Sequence, residues 1–255
     1  MELIDTHCHI FLPEFDADRP EVIARATGSG VGRMLLPHVD STTTQALLAT
    51  CEKFPGTCYP MMGLHPTSVD QDFEQELLIV EEWLGKIRFY GLGEIGIDLY
   101  WDKTWQAQQE EAFRIQLGWA SARNLPVVIH VRNSYDETIR TIRQSGLTNL
   151  RGIFHCFSGT LEQAREVIDM GFHLGIGGVA TFRNGGLDKV LPEINIRNLV
   201  LETDSPYLAP VPFRGKRNEP SYLANIANRV AELCGTNPEE IAQLTTHNSR
   251  LLFGI

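Results

Sequence analysis

Pro126-Val127-Val128-Ile129-His130 is a β-branched apolar run that stops on a histidine. A half-buried strand alternates apolar and polar residues, whereas a continuous apolar run suits a parallel strand covered on both faces. Leu199-Val200-Leu201 repeats the pattern, and further strands are predicted at 2–6, 33–37, 59–64, 89–94, 151–155 and 172–176. The intervening stretches read as helices with recognisable ends. Ser134 with Glu137 and Thr160 with Gln163 have capping-box spacing, and Gly146 and Gly171 stand where those helices should stop. Asn237 with Glu240, and Pro238 in the first turn, mark a late helix. The longest helical stretch, from about Trp105 to Arg123, carries Phe113, Leu117 and Ala120 on one stripe.

Eight such units predict an α/β fold, a (β/α)₈ TIM barrel with parallel strands and outer helices, forming one domain over 1–255. An open doubly wound sheet would want a glycine-rich first turn, which is missing here.

In a barrel of this kind, the residues that follow the strands share one rim. The first predicted strand leads to His7 and His9, whose spacing points both side chains to the same side of an extended chain. The second is followed by His38 and the third by His65. The fourth, fifth, sixth and eighth lead to Glu94, His130, His155 and Asp204. Any one histidine here is as readily a strand-end residue bonded to a carbonyl. Glu94 and Asp204 are harder to explain that way, because a carboxylate ending an apolar strand is costly to bury without a partner. His7, His9, Glu94, His130, His155 and Asp204 together form an N and O donor set suited to zinc, manganese or magnesium. Six donors are too many for one catalytic ion and suit two divalent ions per chain, with Glu94 as the bridge.

Lys+Arg 22 against Asp+Glu 32 leaves a net charge of −10, which argues against a broad cationic face for gripping long duplex. Two divalent ions against two carboxylates would still make the site itself positive and draw in an anionic substrate. His65 and Arg132 are the expected substrate contacts near the ligands. Arg214 is a further candidate substrate contact, in a basic, proline-rich loop with Lys216 and Arg217 that reads equally as phosphate-binding or as a solvated turn. Trp101 and Trp105 can stack a base or pack against their own loop. His173 and His247 are expected to be structural. Five cysteines without a Cys-x-x-Cys pair, and Glu2 and Asp5 where a signal peptide would be basic, point to the cytoplasm. No apolar run is long enough for a membrane span, and no obligate protein partner is evident.

Taken in order, Asp5-Thr6-His7-Cys8-His9, Gly63-Leu64-His65-Pro66, Gly91-Leu92-Gly93-Glu94-Ile95-Gly96-Ile97-Asp98, Val127-Val128-Ile129-His130, His155-Cys156-Phe157-Ser158-Gly159, Glu202-Thr203-Asp204-Ser205-Pro206 and Arg214-Gly215-Lys216-Arg217-Asn218-Glu219-Pro220 resemble the motifs of the TatD family of metal-dependent hydrolases, within the amidohydrolase-like superfamily. The resemblance implies one ion held by His7, His9, Glu94 and Asp204, and a second by Glu94, His130 and His155. It also implies deoxyribonuclease activity, commonly exonuclease trimming of single strands, with DNA as substrate and RNA or aminoacyl-tRNA as further candidates. The expected chemistry is phosphodiester hydrolysis by metal-activated water, with Asp204 as the residue that orients the water and accepts its proton, and with Glu94 as the other catalytic carboxylate. Two alternatives stand beside it. One is an amide or ester hydrolase on the same barrel, such as a D-aminoacyl-tRNA deacylase, although many barrel amidohydrolases bridge their metals with a carboxylated lysine where this chain has Glu94. The other is a non-catalytic metal-binding barrel.

Overall fold

The computed structural model describes residues 2–255. Its strands are β1 (Leu3–Asp5), β2 (Val31–Leu36), β3 (Cys58–Pro60), β4 (Leu92–Asp98), β5 (Val127–Arg132), β6 (Gly152–Phe154), β7 (His173–Ile176) and β8 (Leu199–Leu201). The helices are α1 (Arg19–Gly28), α2 (Thr44–Lys53), α3 (Phe73–Lys86), α4 (Gln106–Arg123), α5 (Tyr135–Gln144), α6 (Leu161–Asp169), α7 (Leu223–Cys234) and α8 (Pro238–Phe253).

All strand pairs are parallel, in the runs β1-β2-β3 and β4-β5-β6-β7-β8. Backbone hydrogen bonds cross both seams between these runs. Gly93 N–H donates to Met62 O at 2.8 Å beside the Met62–Leu92 bridge, and Thr6 N–H donates to Leu201 O at 3.0 Å. The strands thus form the TIM barrel.

Two local expectations need correction. The segment between β7 and β8 contains short 3-10 turns instead of an α-helix, and both α7 and α8 follow β8. Ser134 does not cap α5. Its hydroxyl donates to Ile97 O and accepts from Arg132 N–H, tying the ends of β4 and β5 together. The Thr160–Gln163 box and the Asn237 cap form as read.

Strand periodicity carries the fold into the site. Ile4, Leu35, Met61, Val128, Ile153 and Val200 form one buried cluster, closed by Leu252 and Phe253 at the end of α8. Their immediate neighbours, such as Leu36, Ile129 and Leu201, belong instead to the larger cluster shared with the helices. Side chains two apart share a strand face. His130, His155 and Glu202 therefore follow Val128, Ile153 and Val200 on the inner side.

Candidate metal centre

Six side chains predicted as ligands converge. His7 and His9 present Nε2 atoms 3.1 Å apart. Glu94 Oε2 lies 3.0 Å from His7 Nε2 and 3.5 Å from His9 Nε2, and Asp204 Oδ1 lies 3.6 Å and 3.7 Å from the same two atoms. The other Glu94 oxygen, Oε1, faces His130 Nδ1 at 2.6 Å, His155 Nε2 at 2.9 Å and His65 Nε2 at 3.2 Å. One carboxylate therefore turns one oxygen to each of two histidine groups.

These residues fit metal ions. Two ligands on one ion, each at about 2.1 Å, stand about 3 Å apart at an octahedral angle and about 3.4 Å apart at a tetrahedral one, a range that includes the 3.1 Å between the His7 and His9 nitrogens. Three groups each bring one ligand atom per residue within 4.8 Å of one another: His7, His9 and Glu94; His7, His155 and Asp204; and His65, Glu94 and His130. Such close imidazoles and carboxylates need cationic charge between them. Burial works to raise the Glu94 carboxyl, but His155, His65 and His7 hold it well below the usual range. Burial likewise opposes charge on His155, yet Glu94 and Glu202 hold its imidazole well above the usual value. His7 goes the other way, lowered by burial and then by neighbouring His155. Burial pushes Asp204 up to about 6, even though His155 and His9 pull it down.

Glu94 departs from its expected place at the end of a strand. It is the third residue of β4, which runs on to Asp98, and the β4–β5 register shifts between Leu92 and Ile95. Gly96, at φ +143°, lets this strand approach β5 where a Cβ would strike His130 O. Cys156 and Asp204, beside or within the ligand set, also have positive φ, at 47° and 56°. A non-glycine residue there stores about 1–3 kcal/mol, tolerated where the surroundings enforce it. Cys156 N–H donates to Glu202, and Asp204 N–H donates to His7 O at 2.9 Å.

Three carboxylates, Asp98, Glu202 and Asp5, stand behind the ligands, and the sequence offered no role for the first two. Asp98 Oδ2 accepts from His130 Nε2 at 2.9 Å, orienting its Nδ1 toward Glu94. Glu202 Oε1 lies 3.3 Å from His155 Nδ1, close but not aligned as a hydrogen bond. Gly175 makes room for this carboxylate, since a Cβ there would strike Glu202 Oε2. Asp5, just before the two histidines, accepts from His7 N–H, Thr203 N–H and Thr203 Oγ1, joining the first motif to the Glu202-Thr203-Asp204 motif. Burial raises its carboxyl to about 8 against those donated bonds. The signal that finds Asp98 and Glu202 is strand parity: Asp98 lies four residues after Glu94, and Glu202 two after Val200. Asp98→Asn is expected to weaken metal binding by about 10- to 100-fold, the usual cost of losing a carboxylate behind a ligand histidine. Competition with a fluorescent chelator measures it, and unchanged affinity would remove Asp98 from the centre.

The centre floors a cavity of about 650 Å³ lined by His9, His65, Glu94, His130, Asp204 and Tyr207 among others. Arg132 and Trp101 also line it. Arg214, the other expected substrate contact, is not among the residues lining this cavity, and its guanidinium lies over the Phe182 ring at 3.9 Å. Arg217 is engaged as well, paired through both nitrogens with Asp18 at 2.8 Å and 2.7 Å. His38 is buried against Gly63 O and Thr44 Oγ1 rather than facing the rim. Trp105 packs in the cluster formed with Phe73 and Val80, leaving Trp101 as the indole at the cavity.

The Arg217 loop is fastened to α1 by a second pair, Arg25 Nη2 to Glu219 Oε2 at 2.7 Å, with Nε to Oε1 at 3.0 Å. Burial works to raise the Glu219 carboxyl, but hydrogen bonds from Arg25 and Ser221 hold it below the usual range. The folded state thus binds this proton more weakly than the unfolded chain. Its stabilisation is complete above the unfolded value of about 4.3 and is lost as pH falls through the lower folded value. Glu219→Gln should cost about 1 kcal/mol at neutral pH, a figure discounted for the half-exposed Arg25. In urea denaturation the gap from the parent should close below about pH 4; a gap independent of pH contradicts the assignment.

The family described as TatD related DNase matches residues 4–254. The chain is 39% identical to YabD of Bacillus subtilis, described as an uncharacterized metal-dependent hydrolase, over 99% of each chain. It is 33% identical to the 3'-5' ssDNA/RNA exonuclease TatD of Pantoea ananatis, covering 99% of this chain and 100% of that one. The crystal structure of YJJV, a TatD homolog from Escherichia coli K12, superposes with a TM-score of 0.93 at 30% identity, covering 99% of this chain and 98% of that one.

Proposed function

The chain belongs to the TatD-related DNase family of metal-dependent hydrolases, and from that premise we propose that it trims single-stranded DNA from its ends by hydrolysing phosphodiester bonds with two divalent ions. Zinc, magnesium and manganese suit the donor set. The reading is carried by Glu94, whose two oxygens address separate histidine groups. His7, His9, Glu94 and Asp204 would hold one ion, and Glu94, His130 and His155 the other. Bound there, the ions supply water activation and Lewis-acid polarisation of the phosphoryl group.

The remaining roles belong to the chain itself. Asp204 Oδ1, set back from the His7 and His9 nitrogens, orients the attacking water and takes its proton. His65 and Arg132, on the cavity wall, stabilise the charge that develops on the phosphoryl oxygens. Asp98 keeps His130 in its ligating orientation through its hydrogen bond, and Glu202 sets its negative charge beside His155 Nδ1. The Pantoea relative, named a 3'-5' ssDNA/RNA exonuclease, supports 3'-to-5' polarity and makes RNA the second substrate to test. No helix among the described residues is long and apolar enough to cross a membrane, in keeping with a nuclease of the cytoplasm.

Digestion of end-labelled single- and double-stranded oligonucleotides, with each metal restored in turn, tests the proposal. Stepwise loss of 3' nucleotides from single strands is expected. Turnover of small amides, lactones or D-aminoacyl-tRNA without any cleavage of oligonucleotides would transfer the site to carbonyl chemistry.

A further inference from the structure

Beside His130 the cavity wall carries a feature that hydrolysis alone does not require. Arg132, the last residue of β5, lays its guanidinium over the Tyr100 ring at 3.9 Å, with the Trp101 ring at 5.1 Å. The two aromatic rings meet edge to face at 4.9 Å and 85°. Tyr100 is 52% exposed and Trp101 68% exposed. Packing is a poor explanation for an indole so open to water, because the stabilisation scales with the apolar area removed. The turn is nevertheless held in place. Asp98 Oδ1 accepts from Tyr100 N–H at 2.9 Å and from Trp101 N–H at 3.3 Å, while its other oxygen holds His130. One buried carboxylate thus sets both a residue of the metal centre and the exposed aromatic pair. The neighbouring carboxylates Glu94 and Asp98 are committed to His130, and the planar guanidinium stays directed by the rings.

We propose that Arg132, Tyr100 and Trp101 form the recognition platform for the nucleotide adjoining the scissile bond, with the guanidinium taking its phosphate and the Trp101 indole its unpaired base. This rests on the phosphodiester reading above and adds to it the source of strand preference. A guanidinium matches phosphate through paired N–H donors. An indole face offers stacking to any base, but only to one not already stacked in a duplex. In a chain of net charge −10, such a platform gives local grip on a single strand without a basic surface.

The test compares binding of two phosphorothioate-linked probes, which resist cleavage, to the metal-loaded protein: an oligothymidylate, and an abasic strand of equal length and charge. Fluorescence anisotropy should show the oligothymidylate bound about 5- to 150-fold more tightly, the range for one stacked base. Trp101→Ala should erase that difference and Trp101→Phe restore most of it. Arg132→Ala should weaken both probes alike and reduce the slope of log affinity against log salt by about 0.7, one single-strand phosphate contact. Equal binding of the two probes by the parent protein, or discrimination that survives Trp101→Ala, overturns the base assignment. An unchanged salt slope in Arg132→Ala overturns the phosphate assignment. If discrimination depends on Trp101 but no oligonucleotide is ever hydrolysed, the platform stands and the phosphodiester reading fails.

Discussion

Glu94→Gln should reduce bound metal from two ions per chain to one or none and slow hydrolysis by about a thousandfold or more. The carboxylate sends Oε2 to His7 and His9, and Oε1 to His130, His155 and His65. Glutamine preserves the shape and one oxygen, but it turns an N–H donor toward atoms arranged to share a cation. It also removes the negative charge between two dications. A single unit-charge pair at 4 Å is worth about 4 kcal/mol at an effective dielectric of 20, which is about a thousandfold in equilibrium. Metal analysis after equilibrium dialysis, run beside an oligonucleotide assay, reads both effects. Two tightly held ions in Glu94→Gln would show that Glu94 is not the bridge.

Asp204→Asn should separate metal binding from chemistry. His7, His9 and Glu94 already form a donor group without Asp204, whose oxygen stands farther from both histidine nitrogens than Glu94 does from His7. At least one ion per chain should therefore remain. Turnover should fall by about 10²- to 10⁴-fold, the usual worth of a positioned general base. Asparagine keeps an oxygen for the ion but takes no proton at neutral pH. Near-parental turnover with metal bound would remove Asp204 from proton transfer and leave it a ligand only.

The fold and the six convergent residues were legible because both depend on strand periodicity. Val127-Val128-Ile129 declares a strand buried on two faces, and its period places His130 above Val128. The position of Glu94 was less legible. Its apolar run gives no sign that β4 continues to Asp98 past a register shift, since that shift reflects how closely glycine lets β4 approach β5. Asp98 and Glu202 were hidden in a different way. Each occupies a quoted motif, but their roles depend on which imidazole nitrogen they meet, and that is set across the barrel. The basic loop shows the limit of reading charge from composition. Arg214 and Arg217 are close in sequence, yet one stacks on Phe182 and the other pairs with Asp18, and neither partner lies near them in the chain. Arg132, expected as a substrate contact from its place just beyond His130, stands at the end of β5 on the wall of the cavity.

The dinuclear bridge is the claim on which the rest depends. Its most direct test is titration of chelator-stripped protein with manganese, followed by electron paramagnetic resonance. Two equivalents should bind and give an exchange-coupled spectrum that Glu94→Gln converts to that of isolated ions. Saturation at one equivalent, or uncoupled ions in the parent protein, contradicts the bridge.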